Sequence, residues 1–395
     1  MDVNELLKQM MERQASDLHL KVGSPPVIRV NGNLHPITEH QRLRHEDLVA
    51  MASQILTNKK QKQEFVENNE IDTAYSIPGL GRFRCNIFRQ RGSIGIVLRA
   101  IPINILTIRE LGLPPVLEEL ALEPRGLILV TGITGSGKST TLAAMIDHIN
   151  THVDAHVITI EDPIEFLHRD KKSLVNQREV GSDTLGFNKA LRSALRQDPD
   201  VILVGEMRDQ ETMATAITAA QTGHLVMSTL HTADAMGTIN RILSMFPPHQ
   251  NQQIRLELAE VLRGIISMRL VRRADGKGRV PAVEVLIVTD IIRECIVDPA
   301  KTFRIPDIIA AGTSQYGMQT FDQALMKLLQ DGLITYEEAL LQSTKPSDFA
   351  LKVKGIQSTE DTIKERLAAE QTALAGAKEK NKRPPTPSSG AFTRY

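Results

Sequence analysis

The sequence predicts an α/β protein of more than one domain, built around a mostly parallel sheet. The chain has 395 residues, which is more than one small core requires. Between Gly126 and Thr232, short strands that are apolar throughout alternate with helical segments, a pattern typical of a parallel sheet covered by helices on both faces. A glycine-rich segment, "GITGSGKST", joins the first of these strands to the first helix.

The residues before this region predict a smaller α/β domain. Apolar residues recur at helical spacing from Val3 to Met11, and a strand-like alternation begins at Ser16. Asn31-Gly32 predicts a tight hairpin turn, because both residues tolerate a positive φ. Two helical segments are expected between His45 and Asn69.

A second hairpin is expected in "GRFRCNIFRQRGSIGIVLRAIP". Alternation along its first strand places the apolar residues on one face and Arg82 and Arg84 on the other, and Arg99 of the return strand lies on that same side. Two or three arginines thus share one side of a two-stranded ribbon. The plainer interpretation is a solvated strand face.

Shifts in composition suggest four regions. Residues 1–100 form the N-terminal domain, and the proline-containing residues 101–112 form a linker. Residues 113–357 form the nucleotide-binding domain, with a more helical part from about Pro247 to about Gln357. Residues 358–395 are expected to form a C-terminal helix and a disordered tail, because "KEKNKRPPTPSSGAFTRY" offers little to bury.

Composition argues against several classes of protein. Lys and Arg together equal Asp and Glu at 47 each, so no global field would draw the chain to nucleic acid or to an anionic bilayer. The two cysteines, Cys85 and Cys295, cannot form a disulfide framework or a four-thiolate zinc site, and they suit a reducing cytosol. Neither a signal peptide nor a run of about 18 apolar residues is visible. We therefore expect a cytoplasmic protein without membrane insertion.

The glycine-rich segment matches the phosphate-binding pattern G-x-x-x-x-G-K-[ST], in the required position between a strand and a helix. Glycines let backbone N–H groups approach phosphate oxygens, and the following helix directs its positive end at the same anion. Lys138 would reach the β- and γ-phosphates, and the hydroxyl of Ser139 can bind Mg²⁺. The residues expected to bind ATP are Gly132, Ile133, Thr134, Gly135, Ser136, Gly137, Lys138, Ser139 and Thr140.

Hydrolysis also needs a group that orients the attacking water, and two predicted strands end in acids. Glu206 follows "VILVG" and is the predicted general base. Glu161 or Asp162, after "VITI", would serve Mg²⁺ and its waters, with Glu165 nearby. The alternative is that these acids only cap strands or pair with arginine.

Further groups could act on the γ-phosphate. His224 and His231 flank the strand "LVMSTL" and could both lie near that phosphate, although a buried histidine bonded to a backbone carbonyl is the competing interpretation. A cation placed against the developing charge would come from the ribbon arginines. If the ribbon packs against a neighbour's nucleotide, the subunits form a closed ring.

Five segments together resemble the secretion ATPase superfamily, and most closely its type IV pilus retraction ATPases, the PilT/PilU group: "GITGSGKST", "TIEDPIEF", "NQREVGSDTLGF", "LRQDPDVILVGEMRD" and "TGHLVMSTLHTAD". "SDLHL" and "GRFRCNIF" match that group too, so the resemblance covers residues 1–351. It implies a PAS-like N-terminal domain joined to a RecA-like P-loop ATPase domain, in a hexameric ring with ATP between subunits. It also implies that hydrolysis extracts pilins from the pilus base, with an inner-membrane platform protein and the pilus machinery as partners.

The resemblance assigns roles by position. The matching residues are Lys138 and Ser139 in the Walker A loop, Glu161, Asp162 and Glu165 in the acidic box, Glu206 in Walker B, His224 and His231 in the histidine box, and Arg84 and Arg99 as arginines offered to the nucleotide. Pilus-assembly ATPases resemble this domain too, but they typically carry a four-cysteine zinc site and a longer N-terminal region. Neither is seen here, which favours retraction.

One departure leaves an alternative open. Where the main retraction enzymes carry "AIRNLIRE", residues 291–298 read "IIRECIVD", and "GMQTFDQALMKLLQDGLITYEEAL" resembles the accessory PilU branch. The alternative is therefore an accessory ring that depends on a second retraction ATPase. A nucleic-acid translocase would need a basic stripe and stacking aromatics, but the chain has no Trp and only 4% aromatic residues.

Overall fold

The computed structural model of the protein describes residues 2–355, and its helices and strands are numbered along the chain. Residues 358–395, for which a helix and a tail were expected, lie outside this range. The N-terminal domain consists of α1 (Val3–Glu12), β1 (Asp17–Lys21), β2 (Val27–Val30), β3 (Asn33–Pro36), α2 (His45–Ile55), α3 (Lys59–Asn68), β4 (Glu70–Ile77), β5 (Gly81–Gln90) and β6 (Ser93–Ala100).

The strands of this domain form one antiparallel sheet in the order β3-β2-β1-β6-β5-β4. Its apolar face packs with the helices into a core that includes Phe83, Cys85 and Leu98, all fully buried. Asn31 and Gly32 have φ values of 49° and 85°, as a tight hairpin turn requires.

The expectation of a two-stranded arginine ribbon is wrong in one respect. β5 pairs with β6, but β4 pairs with the outer edge of β5 and β1 with the outer edge of β6. The arginine face is therefore the middle of a wide sheet, and this makes its geometry more rigid than that of a free hairpin.

A second sheet and its helices follow. The elements are α4 (Val116–Ala121), β7 (Gly126–Thr131), α5 (Lys138–His152), β8 (His156–Glu161), β9 (Leu174–Glu179), α6 (Phe187–Ala194), β10 (Val201–Val204), α7 (Gln210–Gln221), β11 (Leu225–Leu230), α8 (Ala235–Ser244), α9 (Asn251–Val261), β12 (Leu262–Arg272), β13 (Arg279–Ile287), α10 (Asp290–Val297), α11 (Ile305–Ala311), α12 (Thr313–Tyr316), α13 (Phe321–Gln330), α14 (Tyr336–Gln342) and α15 (Pro346–Val353). Short 3₁₀ helices occupy Pro248–Gln250 and Thr302–Arg304.

The strand order of the second sheet is β13-β12-β7-β11-β10-β8-β9, and the pairs from β12 to β9 are parallel. The α/β class and the mostly parallel sheet are therefore confirmed. Because parallel strands end at one edge, the register brings the carboxyl ends of β7, β8, β10 and β11 together.

The prediction that Pro247 to Gln357 is mainly helical is wrong for β12 and β13. Both strands are long and buried through most of their length, and β12 extends the sheet beside β7. A buried strand reads as a continuous apolar run, which periodicity alone does not distinguish from a buried helix. β4 and β9 were also missed: β9, "LVNQRE", is mostly polar.

The described residues divide into two compact units. One unit consists of the described residues up to Leu270 together with Val280–Thr320. The other consists of Val271–Arg279 and the described residues from Phe321 onward. In this second unit the backbone N–H of Ala274 donates to the carbonyl of Leu333 at 2.8 Å. None of the helices within residues 2–355 combines the length and apolar character needed to cross a bilayer.

Candidate active site

The loop between β7 and α5 has a backbone that requires glycine. Gly132 has φ 141°, and a Cβ placed there would lie 2.6 Å from the carbonyl oxygen of Met268 and 2.5 Å from Oγ of Ser136. Gly137, the N-cap of α5, has φ 99°. Helix α5 then buries the apolar residues predicted for it, including Leu142 and Met145. The sequence of the loop is thus the one that lets the chain turn sharply into the helix.

Side chains in the loop suit an anion. Nζ of Lys138 donates to the carbonyls of Gly132 and Ile133 at 2.9 and 3.0 Å, which places the ammonium across the loop. Burial lowers the pKa of Lys138, and the charges of Glu206 and Glu165 act in the opposite direction. Oγ of Ser136 is buried without a hydrogen-bond partner among the described residues. These donors, at the positive end of a helix, fit a phosphate group.

Glu206 lies just beyond β10 at the same edge of the sheet. Its Oε2 is 2.7 Å from Nη2 of Arg208, and its Oε1 is 3.2 Å from Nε2 of His231. Burial alone would raise the pKa of Glu206, but the hydrogen bond and charge of Arg208, together with His231, lower it below its ordinary value. The carboxylate is therefore ionised at neutral pH, as a general base must be.

Glu161 is the last residue of β8, and neighbouring side chains of β8 and β9 hold its carboxylate by hydrogen bonds. Its Oε1 accepts from Oγ1 of Thr159 at 2.6 Å and from Nε2 of Gln177 at 3.1 Å. Burial raises the pKa of the Glu161 carboxyl. Asp162 and Glu165 follow on an exposed loop. Residues 161–168, which we call the acidic segment, lie within electrostatic reach of the glycine-rich loop, because the charge of Glu165 influences the pKa of Lys138.

Sequence comparison then identifies the family. The family described as type II/IV secretion system protein matches residues 1–295. The chain belongs to this family. The earlier resemblance to the pilus retraction group is confirmed by PilT of Pseudomonas aeruginosa, named a type IV pilus retractation ATPase, which is 49% identical over 88% of this chain and 100% of its own length. The type IV pilus ATPase PilU of the same organism is 42% identical over 92% of this chain and 94% of its own.

Solved structures agree with this placement. A crystal structure of the pilus retraction motor PilT with bound ADP superposes with a TM-score of 0.79 at 46% identity, covering 88% of this chain and 98% of that one. The ATPase DotB of Legionella pneumophila gives a TM-score of 0.73 at 28% identity, covering 86% and 94%. The prediction of a nucleotide-binding P-loop ATPase is thereby confirmed.

In this secretion-family chain the two histidines are far apart. His231 follows β11 and contacts Glu206, whereas His224 precedes the strand and its Nδ1 bonds the carbonyl of Ala219 at 2.9 Å. The carbonyl of His224 accepts from Gly126, at the start of β7. A strand rises about 3.3 Å per residue, so the two histidines lie roughly 20 Å apart. The expectation that both lie near one γ-phosphate is wrong for His224 within a single chain.

The arginines of the N-terminal sheet are arranged as alternation predicts. Arg84 and Arg99 are direct cross-strand partners and both are exposed. Nε of Arg99 lies 2.7 Å from Oδ1 of the buried Asp17. Among residues 2–355, no hydrogen bond or ion pair joins Arg84 or Arg99 to the glycine-rich loop. Arg82 instead pairs with Glu179 of the same chain at 3.2 Å.

The metal assignment stays a prediction. No group of three or more His, Cys, Asp or Glu side chains in the described part of the chain is arranged to hold a metal ion. Magnesium in nucleotide sites is bound by one or two protein ligands plus substrate phosphates and water, so Ser139 with Glu161 or Asp162 remains a chemically suitable set.

Sequence reasoning missed several residues that shape the site. Arg208 holds Glu206, Gln177 holds Glu161, and Glu179 holds the backbone of the acidic segment. Arg208 stands two residues after Glu206 in a motif already identified, so its nearness to the base was visible. Gln177 and Glu179 lie in "NQREVGSDTLGF", a segment of the resemblance that was given no role, and their contacts could not be predicted because strand β9 was missed.

Proposed function

We propose that this chain is the ATP-hydrolysing subunit of a hexameric motor that retracts type IV pili. The main support is that Lys138 and Glu206 lie at one edge of a parallel sheet. The chain also matches a retraction ATPase over that protein's whole length. The Lys138 ammonium would bind the β- and γ-phosphates of ATP. The ionised Glu206 would orient a water for attack on the γ-phosphorus and accept its proton.

Magnesium would neutralise phosphate charge and orient the substrate. The hydroxyl of Ser139, with Glu161 or Asp162, would hold the ion or its waters. Oε1 of Glu161 already accepts from Thr159 and Gln177, whereas Asp162 is exposed, which favours Asp162 as a direct ligand and Glu161 as a partner of a coordinated water.

The ring completes the site. Arg84 and Arg99 are exposed and, among residues 2–355, form no hydrogen bond or ion pair with the glycine-rich loop, which supports a role at the nucleotide of a neighbouring subunit. Such an arginine stabilises the charge that develops during phosphoryl transfer. Each site would then lie between two protomers, and hydrolysis would couple to movement of one against the next. The motor would act from the cytoplasmic side on an inner-membrane platform protein, and through it would extract pilin from the pilus base.

An accessory role is the second candidate. It is favoured by the PilU relative at 42% identity and by the departure at residues 291–298, which form most of α10. In that case the ring would assist a partner retraction ATPase.

Gene deletion in the source organism tests the proposal. A main motor predicts cells with more surface pili and no twitching, restored by the wild-type gene but not by Lys138→Ala. Normal motility after deletion would contradict the main role. If motility failed only when a second retraction ATPase was also weakened, the accessory role would stand.

A further inference from the structure

One carboxylate oxygen joins the N-terminal domain to the acidic segment. Glu179, the last residue of β9, is only 6% exposed. Its Oε2 accepts from the backbone N–H of Ile164 at 3.2 Å and lies 3.2 Å from Nη2 of Arg82. Ile164 stands between Asp162 and Glu165, so the bond fixes the middle of the acidic segment.

The ion pair is shielded. The side chains of Arg82 and Glu179 are 20% and 8% exposed. Within residues 2–355, the further side-chain hydrogen bond of Glu179 comes from Oγ of Ser182, which donates to Oε1 at 3.3 Å and carries no charge. Loss of Arg82 would therefore leave a buried carboxylate without its cation, which is the costly way to break such a pair.

Further contacts hold the same segment. The backbone N–H of Leu167 donates to the carbonyl of Pro102 at 3.1 Å, and Pro102 follows Ile101, whose N–H donates to the carbonyl of Arg82 at 3.0 Å. From β9, Gln177 donates to the carbonyl of Phe166 and accepts from the N–H of His168, both at 2.9 Å. The acidic segment is thus fastened to β9 and, at two points, to the N-terminal side of the chain.

We propose that Arg82 and Glu179 are positioning residues: they tie the acidic segment to the N-terminal domain, and so set the place of Asp162 and Glu165 relative to Lys138. The role differs from that of Arg84 and Arg99, since it acts within one subunit. It rests on the proposed ATP hydrolysis at this site. Through this link, movement of the N-terminal domain in the ring is transmitted to the acids that serve the nucleotide.

The test uses Arg82→Gln and Glu179→Gln in the full chain, singly and together. Hydrogen exchange of a peptide covering residues 161–168 reports the position of the segment, and steady-state kinetics gives kcat and KM for ATP. Arg82→Gln should speed exchange and lower kcat, each by about tenfold, with KM little changed. In Glu179→Gln the amide oxygen still accepts from Ile164 but the ion pair to Arg82 is lost, so Glu179→Gln and the double variant should each show a loss similar to that of Arg82→Gln, without addition. Arg89→Gln, an exposed charge on the same strand, is the matched control.

The outcomes separate the two proposals. If Arg82→Gln matches Arg89→Gln in both exchange and kcat, the tether does not exist. If exchange rises while kcat holds, the contact exists but does not position the acids, and the inference is overturned. Recovery of kcat by Arg82→Lys, which restores the charge, excludes simple misfolding. If the wild-type chain hydrolyses no ATP, the proposed function fails, whereas the exchange result still reports on the contact.

Discussion

At the scale of single residues, neighbours decide what each charge can do. Arg208 and His231 keep Glu206 ionised despite its partial burial, whereas burial dominates at Glu161 and raises its pKa. The pKa values of two carboxylates on adjacent strand ends are thereby shifted in opposite directions, so Glu206 is the one whose charged form its surroundings stabilise.

Replacement of Glu206 by Gln tests the general base. The amide keeps the size of the side chain but cannot accept the proton, so we expect ATP affinity to be retained and turnover to fall by about 100-fold or more. Phosphate release and equilibrium binding of a fluorescent ATP analogue give the two values. Glu211→Gln, an exposed acid on α7, is the control. Retained turnover in Glu206→Gln would mean that another acid is the base.

Residues could be predicted where the motif is local. The strand, glycine-rich loop and helix around Lys138 lie in one continuous stretch, and the structure arranges that stretch as the spacing indicates. The pairing of Arg82 with Glu179 joins distant parts of the chain, and alternation along β5 shows only which face Arg82 shares. The expectation for His224 did not take account of the length of the strand that it flanks: β11, which was predicted, places His224 and His231 at opposite ends.

At the scale of elements, the site residues lie at the carboxyl edge of the parallel sheet, and β13 contacts the start of helix α8 next to this edge. Glu284 of β13 is 7% exposed, and its Oε1 accepts from the backbone N–H of Ala235, the first residue of α8, at 2.8 Å. Helix α8 begins four residues after His231. Because periodicity gave β13 no signal, sequence analysis could not find this cap.

A pH dependence of stability follows from Glu284. Burial raises the pKa of Glu284 from 4.5 to about 7, although the bond from Ala235 acts to lower it. The stabilisation from the protonated form is complete below about pH 4.5 and is lost as the pH rises through about 7. Between pH 5.5 and 7.5 we expect the free energy of unfolding to fall by about 2 kcal/mol more in wild type than in Glu284→Gln. Urea denaturation of both proteins at both pH values measures the free energy of unfolding. An equal fall in wild type and in Glu284→Gln would contradict the prediction.

At the scale of the whole molecule, the proposal gives the arginine face its role at a second subunit. β5 and β6 hold Arg84 and Arg99 side by side in the middle of a rigid sheet, and Asp17 anchors Nε of Arg99. An exposed pair of cations, one of them held by Asp17, that forms no hydrogen bond or ion pair with the P-loop within residues 2–355 suits a neighbour's nucleotide. The sequence predicted the face, but contacts between subunits have no local signature.

Mixing two inactive variants tests action between subunits. Arg84→Ala/Arg99→Ala keeps its own P-loop, and Lys138→Ala keeps its arginines. In a one-to-one mixture with random assembly, about a quarter of the interfaces between subunits combine an intact loop with intact arginines. Activity should therefore return to at most about a quarter of the wild-type value. No recovery in rings shown to contain both variants would place the arginines within their own subunit.

The most direct test is ATP hydrolysis measured across size-exclusion fractions of known mass, with magnesium present. The account predicts that phosphate release follows the hexamer and disappears in Lys138→Ala while the hexamer persists. A stable monomer that leaves ATP intact would contradict it.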